Sequence, residues 1–169
     1  MKKFTFILVL IGMITLQSCE GPEGPPGRDG YSAEAEVFEV TRSFTPQNGF
    51  ASDIILNPPI LSSDHILVYR LAGSFQGEDD WKLLPEYYFF GDGTFDYAYN
   101  YSFTRFNIGL YMEGFDLGAL NSSVRINQVF RVVIIPGYFS GRMDYSNYNE
   151  VMTMYGLTEA DVKPLSERQ

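Results

Sequence analysis

Cysteine, histidine and tryptophan each occur once in the 169 residues, as Cys19, His65 and Trp81. A single Cys excludes a disulfide framework. A single His excludes a multi-His zinc centre. Positive charge is also scarce, with 12 basic residues against 21 acidic ones and a net charge of −9. Such a surface repels phosphate backbones, so no nucleic-acid partner is expected, and it disfavours electrostatic docking on anionic lipid. The acidity reads first as a solubility device. There is no G-x-S-x-G elbow, no phosphate-cradling glycine loop and no dinucleotide fingerprint. No apolar run is long enough to span a bilayer; the longest is 13 residues, Phe4 to Leu16.

That run sits behind Met1-Lys2-Lys3, a basic start, and fits the apolar centre of a signal peptide. Leu16-Gln17-Ser18-Cys19 follows and resembles a bacterial lipobox, with Gln17 in a position where a small residue is commoner. Residues 1–18 are therefore expected to be a lipoprotein signal, cleaved between Ser18 and Cys19. Lys2 and Lys3 leave with it and no acid does, which takes the net charge from −9 to −11. Lipidation of Cys19 would consume the lone thiol, a liability on an exported protein, and leave no Cys/His pair for nucleophilic catalysis. Two or more acyl chains hold a protein stably on a membrane, where one holds it marginally. An ordinary signal with an incidental Cys is the alternative.

Residues 21–30, Gly-Pro-Glu-Gly-Pro-Pro-Gly-Arg-Asp-Gly, are three Gly-X-Y triplets and a trailing Gly. Three triplets are too few for a stable triple helix, so residues 19–30 are expected to be a lipidated, semi-extended spacer of about 30 Å. A lipobox Cys followed at once by Glu20-Gly21-Pro22-Glu23-Gly24-Pro25-Pro26-Gly27 resembles the small "collagen-like" lipoproteins of Bacteroidota. Ile66-Leu67-Val68-Tyr69-Arg70-Leu71, Phe89-Phe90-Gly91-Asp92-Gly93-Thr94 and Val129-Phe130-Arg131-Val132-Val133-Ile134-Ile135-Pro136 extend that resemblance downstream. It implies an outer-membrane lipoprotein, surface-exposed or periplasm-facing, and brings no established activity. Glu20 and Glu23 echo the acidic residues that follow the lipid Cys in some surface lipoproteins of that group.

Residues 31–169 are long enough for one domain with a real core. Fourteen Phe and 12 Tyr favour pleated, half-buried surfaces. Residues 36–44 put Phe38, Val40 and Phe44 on one face, with Arg42 an exception. Asp53 to Leu56 is a second strand, stopped by Pro58-Pro59. Ile66 to Leu71 and Val129 to Ile135 are near-continuous apolar runs, as in strands covered on both faces. Gly77-Glu78-Asp79-Asp80 reads as a turn. Trp81 to Phe90 reads as one strand that Pro85 interrupts or pushes to an edge. Gly91-Asp92-Gly93 is a hairpin turn. Phe95, Tyr97, Tyr99, Tyr101 and Phe103 alternate with Asp96, Ala98, Asn100 and Ser102. A turn near Ser102–Arg105 then leads to Phe106, Ile108, Leu110 and Met112, and residues 114–125 form a loop. Tyr148, Val151, Met152 and Tyr155 have helical spacing, with Gly156 as terminator. Thr158 and Asp161 resemble a capping box, and Pro164 stops the last turn. The sum is an all-β fold: an antiparallel β-sandwich of about seven strands with a short C-terminal helical segment.

The sharpest binding candidate is the aromatic face of Tyr97, Tyr99 and Tyr101, with Tyr87 and Tyr88 across the hairpin. Exposed and coplanar, these rings would hold sugar rings or another protein; packed inward, they are core. His65 reads as a strand-edge residue. Glu78, Asp79 and Asp80, and Asp92 with Asp96, read as solvated turn acids, with a loop calcium site as the alternative. No cofactor and no metal are expected. The expected function is a non-catalytic structural or interaction role at the cell envelope. The partners are membrane lipid through acylated Cys19 and a protein or glycan at the cell surface. A carbohydrate-binding or adhesion module on the Tyr-rich face is one alternative. A small hydrolase with a carboxylate pair is another.

Overall fold

The computed structural model describes residues 35–137 and 145–167, so the expectations for Ser18, Cys19 and the Gly/Pro run lie outside the described residues. The described chain forms nine strands in two sheets, an all-β sandwich with one short helix. The five-stranded sheet runs β4 (Glu78–Leu83), β3 (His65–Phe75), β8 (Gln128–Ile135), β1 (Glu36–Arg42), β9 (Lys163–Pro164). The four-stranded sheet runs β2 (Ala51–Ile55), β7 (Asn107–Gly114), β6 (Phe95–Phe103), β5 (Glu86–Phe89). Pairing is antiparallel except for β1 with β9, which is parallel.

Phe38 and Val40 from β1, Ile66 and Val68 from β3, and Phe130 and Val132 from β8 face Tyr97 and Tyr99 from β6 and Ile108 and Leu110 from β7. The outer face of the five-stranded sheet is covered too. Val37, Tyr69, Val133 and Ile135 pack there against Tyr148, Val151 and Met152 of the helix α1 (Tyr148–Met154). A strand buried on both faces has no reason to alternate, so β3 and β8 are near-continuous apolar runs. Among the described residues no helix covers the outer face of the four-stranded sheet, and β7 alternates between buried and partly exposed positions. A seven-residue helix is marginal alone. Burial of its three apolar residues holds α1, Asn147 caps it by accepting from the Glu150 amide, and Gly156 ends it at φ +67°.

Three sequence expectations change. Trp81 to Phe90 is two strands: the chain breaks at Leu84–Pro85, a cis bond, and β4 and β5 belong to different sheets. With β9 added, this raises seven strands to nine. The turn expected at Gly77–Asp80 is the pair Gln76-Gly77, both at positive φ, with Phe75 facing Glu78 across the ladder. Glu78, Asp79 and Asp80 sit instead on the exposed edge strand β4, where charge blocks further pairing. Phe106 is not part of the apolar face of β7. It stands exposed in the turn, where the Thr104 amide donates to the Asn107 carbonyl. The Gly91–Gly93 hairpin and the Thr158/Asp161 capping box are present as read.

A groove at the edge of the five-stranded sheet

The aromatic face does not form a platform. Tyr97 and Tyr99 are 7% and 1% exposed, inside the sandwich. The Tyr101 ring is half-buried, and its hydroxyl donates to the Ile66 carbonyl at 2.9 Å. Tyr88 turns inward and stacks on Tyr97 with centroids 4.5 Å apart and planes 11° from parallel. Tyr87 alone of the five points out, at 53% exposure. Successive residues of a strand face opposite ways, so Tyr87 and Tyr88 do not share one environment. The candidate binding surface is therefore mostly core, the other reading of the ladder. His65 is exposed at the start of β3.

What the ring face surrounds is a buried ion pair. Arg70, on the inner face of β3, donates from Nε and Nη2 to the two carboxylate oxygens of Glu86 at 2.8 and 3.1 Å. Nη2 also donates to the Tyr88 hydroxyl, which in turn donates to Glu86. Nη1 reaches the Gln128 side-chain oxygen and the Leu71 carbonyl. The guanidinium lies 4.5 Å from the centre of the Tyr99 ring. Burial alone would lower the Arg70 pKa; the bond and charge of Glu86 outweigh it and hold the group above its ordinary value. This network joins the two sheets and is closed to ligand, since the two side chains are 8% and 9% exposed.

A second arginine works on the opposite face of the same sheet. Arg131 of β8 bonds Glu39 at 3.2 Å, the Tyr148 hydroxyl at 2.8 Å and Glu159 at 2.6 Å. Its guanidinium lies 4.2 Å from the Trp81 ring centre and 5.4 Å from that of Tyr148. Burial would lower its pKa, but Glu159, Tyr148 and Glu39 raise it further. Trp81 and Tyr148 meet with centroids 5.5 Å apart at 40°. Tyr69 meets Tyr148 edge-on and donates its hydroxyl to the Tyr145 carbonyl, which ties the approach to α1 onto β3.

On the outer side of this corner lies an open groove of about 420 Å³. Asp79, Asp80 and Trp81 of β4 line one side; Ser146, Tyr148 and Asn149 line the other. Asn147 also lines it, with its side chain engaged by Glu150. The groove is thus lined mainly by carboxylate, amide and hydroxyl groups beside the half-buried Trp81 ring, which a paired guanidinium holds from behind, while Tyr148 is 4% exposed and belongs to the packing beneath. Asp79 and Asp80 are consecutive on one strand. A carboxylate pair of the glycosidase kind faces a reacting bond from two sides. Among the described residues no group of three or more His, Cys, Asp or Glu is placed to hold a metal ion, and no helix is long and apolar enough to cross a membrane.

The two sides of the groove lie 65 or more positions apart in the chain, and no spacing rule joins β4 to α1. Two signals were nevertheless present: the period-2 pair Asp79/Trp81, and arginines set inside apolar runs, which must find carboxylates once both faces are covered. Comparison with protein-family models, with curated proteins and with solved structures finds no match to this chain.

Proposed function

We propose that the chain is a membrane-tethered, non-catalytic interaction module of the cell envelope, with the groove between β4 and α1 as its binding face. The observation that carries the binding face is the half-buried Trp81 ring, which Arg131 and the buried Tyr148 pack from within. That ring is fixed before any partner arrives, by the Arg131 guanidinium and by Tyr148, which is itself bonded to Arg131. A pre-ordered aromatic ring beside adaptable polar groups lowers the entropy cost of recognition. The tether rests on the sequence, on the lipobox at Leu16–Cys19 and the apolar run before it. The non-catalytic reading rests on the scarcity of His and Cys.

Two arms test the proposal in cells that express the full chain. Cys19→Ala is expected to move the protein from the membrane to the soluble fraction; unchanged membrane association refutes the lipid tether. A photo-crosslinking residue at position 149 is expected to give ultraviolet-dependent adducts. Adducts from position 87 alone would transfer the binding face to the exposed rings of the β5–β6 hairpin. Tyr87, Phe89 and Phe95 cluster there, with centroids 6.4 and 6.1 Å apart.

A further inference from the structure

We infer that one end of the sandwich, formed by the β2–β3 connection and the β6–β7 turn, is a lipid-contact surface seated on the membrane that holds the anchor; this depends on the lipid tether at Cys19. Glu36, Ile134 and Ile66 form one row across the five-stranded sheet. The described chain starts at Ala35, so it enters β1 at the end where β3 begins and β8 finishes. The Ile66 carbonyl takes the Tyr101 hydroxyl at 2.9 Å, and the Tyr101 and Phe103 rings stack at 14°, which brings the β6–β7 turn to the same end. The β2–β3 connection lies along that turn: the Leu56 amide donates to the Phe106 carbonyl and the Ile60 amide to the Arg105 carbonyl. Ile55, Leu61, Phe103 and Phe106 stand out from this end, 41–61% exposed. Fifteen residues separate Cys19 from Ala35 and span at most about 50 Å, so a lipid anchor keeps this end near the bilayer.

Charge and size single out lipid as the occupant. Residues 55–65 and 103–107 hold one acid, Asp64, beside His65 and Arg105, in a chain with 21 acidic residues. Asp64 serves its own turn, accepting from the Leu61 amide at 2.9 Å and the Ser63 hydroxyl at 3.4 Å. Glu36, at the entry of the chain, is half-buried, and Asp53 of β2 is held by the Asn107 side-chain amide at 3.3 Å. Among the described residues Arg105 forms no ion pair. Its Nε donates to the Ile60 carbonyl, and its guanidinium lies 5.8 Å from the Phe106 ring centre. An apolar tip beside a guanidinium suits the boundary of acyl chains and headgroups, where the ring enters and the charge stays at the surface. The opposite end of β6 also exposes Phe89, Phe90 and Phe95, but Asp92 and Asp96 stand among them, and carboxylates are costly to carry into lipid. A second copy of the chain is the competitor. Four apolar side chains fall well short of the roughly 20–30 residues a side of a stable protein interface. The acidity that disfavours electrostatic docking does not oppose this contact, because burial of apolar surface drives it.

The full lipidated chain is reconstituted in phosphatidylcholine vesicles, with an environment-sensitive dye on Ser62→Cys or, at the opposite end, on Gly91→Cys; both positions are exposed. Flotation reads the tether, and quenching of the dye by brominated acyl chains reads the contact. The expected result is a chain that floats, with the dye at position 62 blue-shifted and quenched, in low and high salt alike, and the dye at position 91 in water. Phe106→Ser, at an exposed site, should still float and keep its urea midpoint. It is expected to lower the docked population roughly tenfold, the worth of one aromatic side chain moved from water to lipid. A chain that floats with position 62 in water overturns the contact and leaves the tether standing; a chain that does not float overturns both. Equal quenching at positions 62 and 91, or quenching that Phe106→Ser leaves unchanged, overturns the assignment of this end. A disulfide between copies at position 62 in the undyed Ser62→Cys chain, lost with Phe106→Ser, gives the patch to a second copy and overturns the lipid contact as well.

Discussion

Replacing Glu86 by Gln keeps the shape of the side chain and removes its charge. Arg70 would keep its bonds to Tyr88, Gln128 and Leu71 but lose the counter-ion it meets with two bonds. Both side chains are less than a tenth exposed, so water cannot stand in for the missing charge. Breaking a buried pair in this way costs about 3–5 kcal/mol, against about 0–1 for a surface pair. Most domains hold only about 5–15 kcal/mol in total. The loss should therefore lower the melting temperature by roughly 10–20 °C in a domain of this size. Lys82 provides the comparison. Its ammonium lies 3.8 Å from the same carboxylate but is 50% exposed, and Lys82→Gln should change stability by less than about 0.5 kcal/mol. Urea unfolding of the three proteins at low and high salt measures both. The double change Arg70→Met with Glu86→Leu should recover most of the loss, because no unpaired charge is then left behind. A Glu86→Gln cost below about 1 kcal/mol, or one that disappears in 1 M salt, would refute the claim that this pair is buried and structural.

Burial raises the pKa values of the tyrosines between the sheets, Tyr99 and Tyr88 furthest, with Tyr97 and Tyr101 in the same direction. The unfolded chain then loses these protons first, so the tyrosines' contribution to stability is flat below about pH 10 and falls above it, by up to about 1.4 kcal/mol per pH unit for each fully shifted group. Tyr99→Phe, at a site 1% exposed, should flatten that fall by about one proton, as read from urea midpoints against pH. Gly137→Ala should cost about 1–3 kcal/mol, since its new methyl would lie 2.6 Å from the Ser63 Cβ and 2.7 Å from the Ser63 carbonyl carbon, and this strand exit would have to shift. Gly73→Ala meets nothing within 4 Å and should change stability little, so equal costs at the two sites would refute the steric account. Phe130→Ala, at a site with no solvent exposure, should cost about 3–5 kcal/mol in the same assay.

The fold was legible where one physical rule acts alone. Alternation marked Tyr97 and Tyr99 on β6 and Ile108, Leu110 and Met112 on β7 as inward because, among the described residues, no helix covers the other face of that sheet, and the spacing of Tyr148, Val151 and Met152 marked the helix face. Legibility failed where two rules gave the same pattern. Acids after a glycine look like a turn, yet here they are the charged edge of β4. A ladder of tyrosines looks the same whether it faces water or a second sheet, and only the partner sheet decided that Tyr97 and Tyr99 go inward. Arg70 and Arg131 were read as parts of apolar runs. Their carboxylates lie in other elements, Glu86 on β5 and Glu39 and Glu159 on β1 and the turn after α1, beyond the reach of local spacing. The groove was hidden for the same reason.

The two-residue strand β9 has a consequence for solubility. Lys163 and Pro164 lie along Phe38 and Glu39 and close the outer edge of β1. A strand this short, ending in a residue with no amide hydrogen, takes up that edge without offering a useful template of its own. The far edge of the same sheet is guarded differently, by three consecutive acids on β4. A chain cut ahead of Thr158 would leave the pairing groups of β1 open to a strand from another molecule. The last dozen residues thus have two tasks: Glu159 pairs with Arg131 and Val162 and Leu165 pack on the cores, while Lys163 and Pro164 keep the edge of β1 from joining another copy.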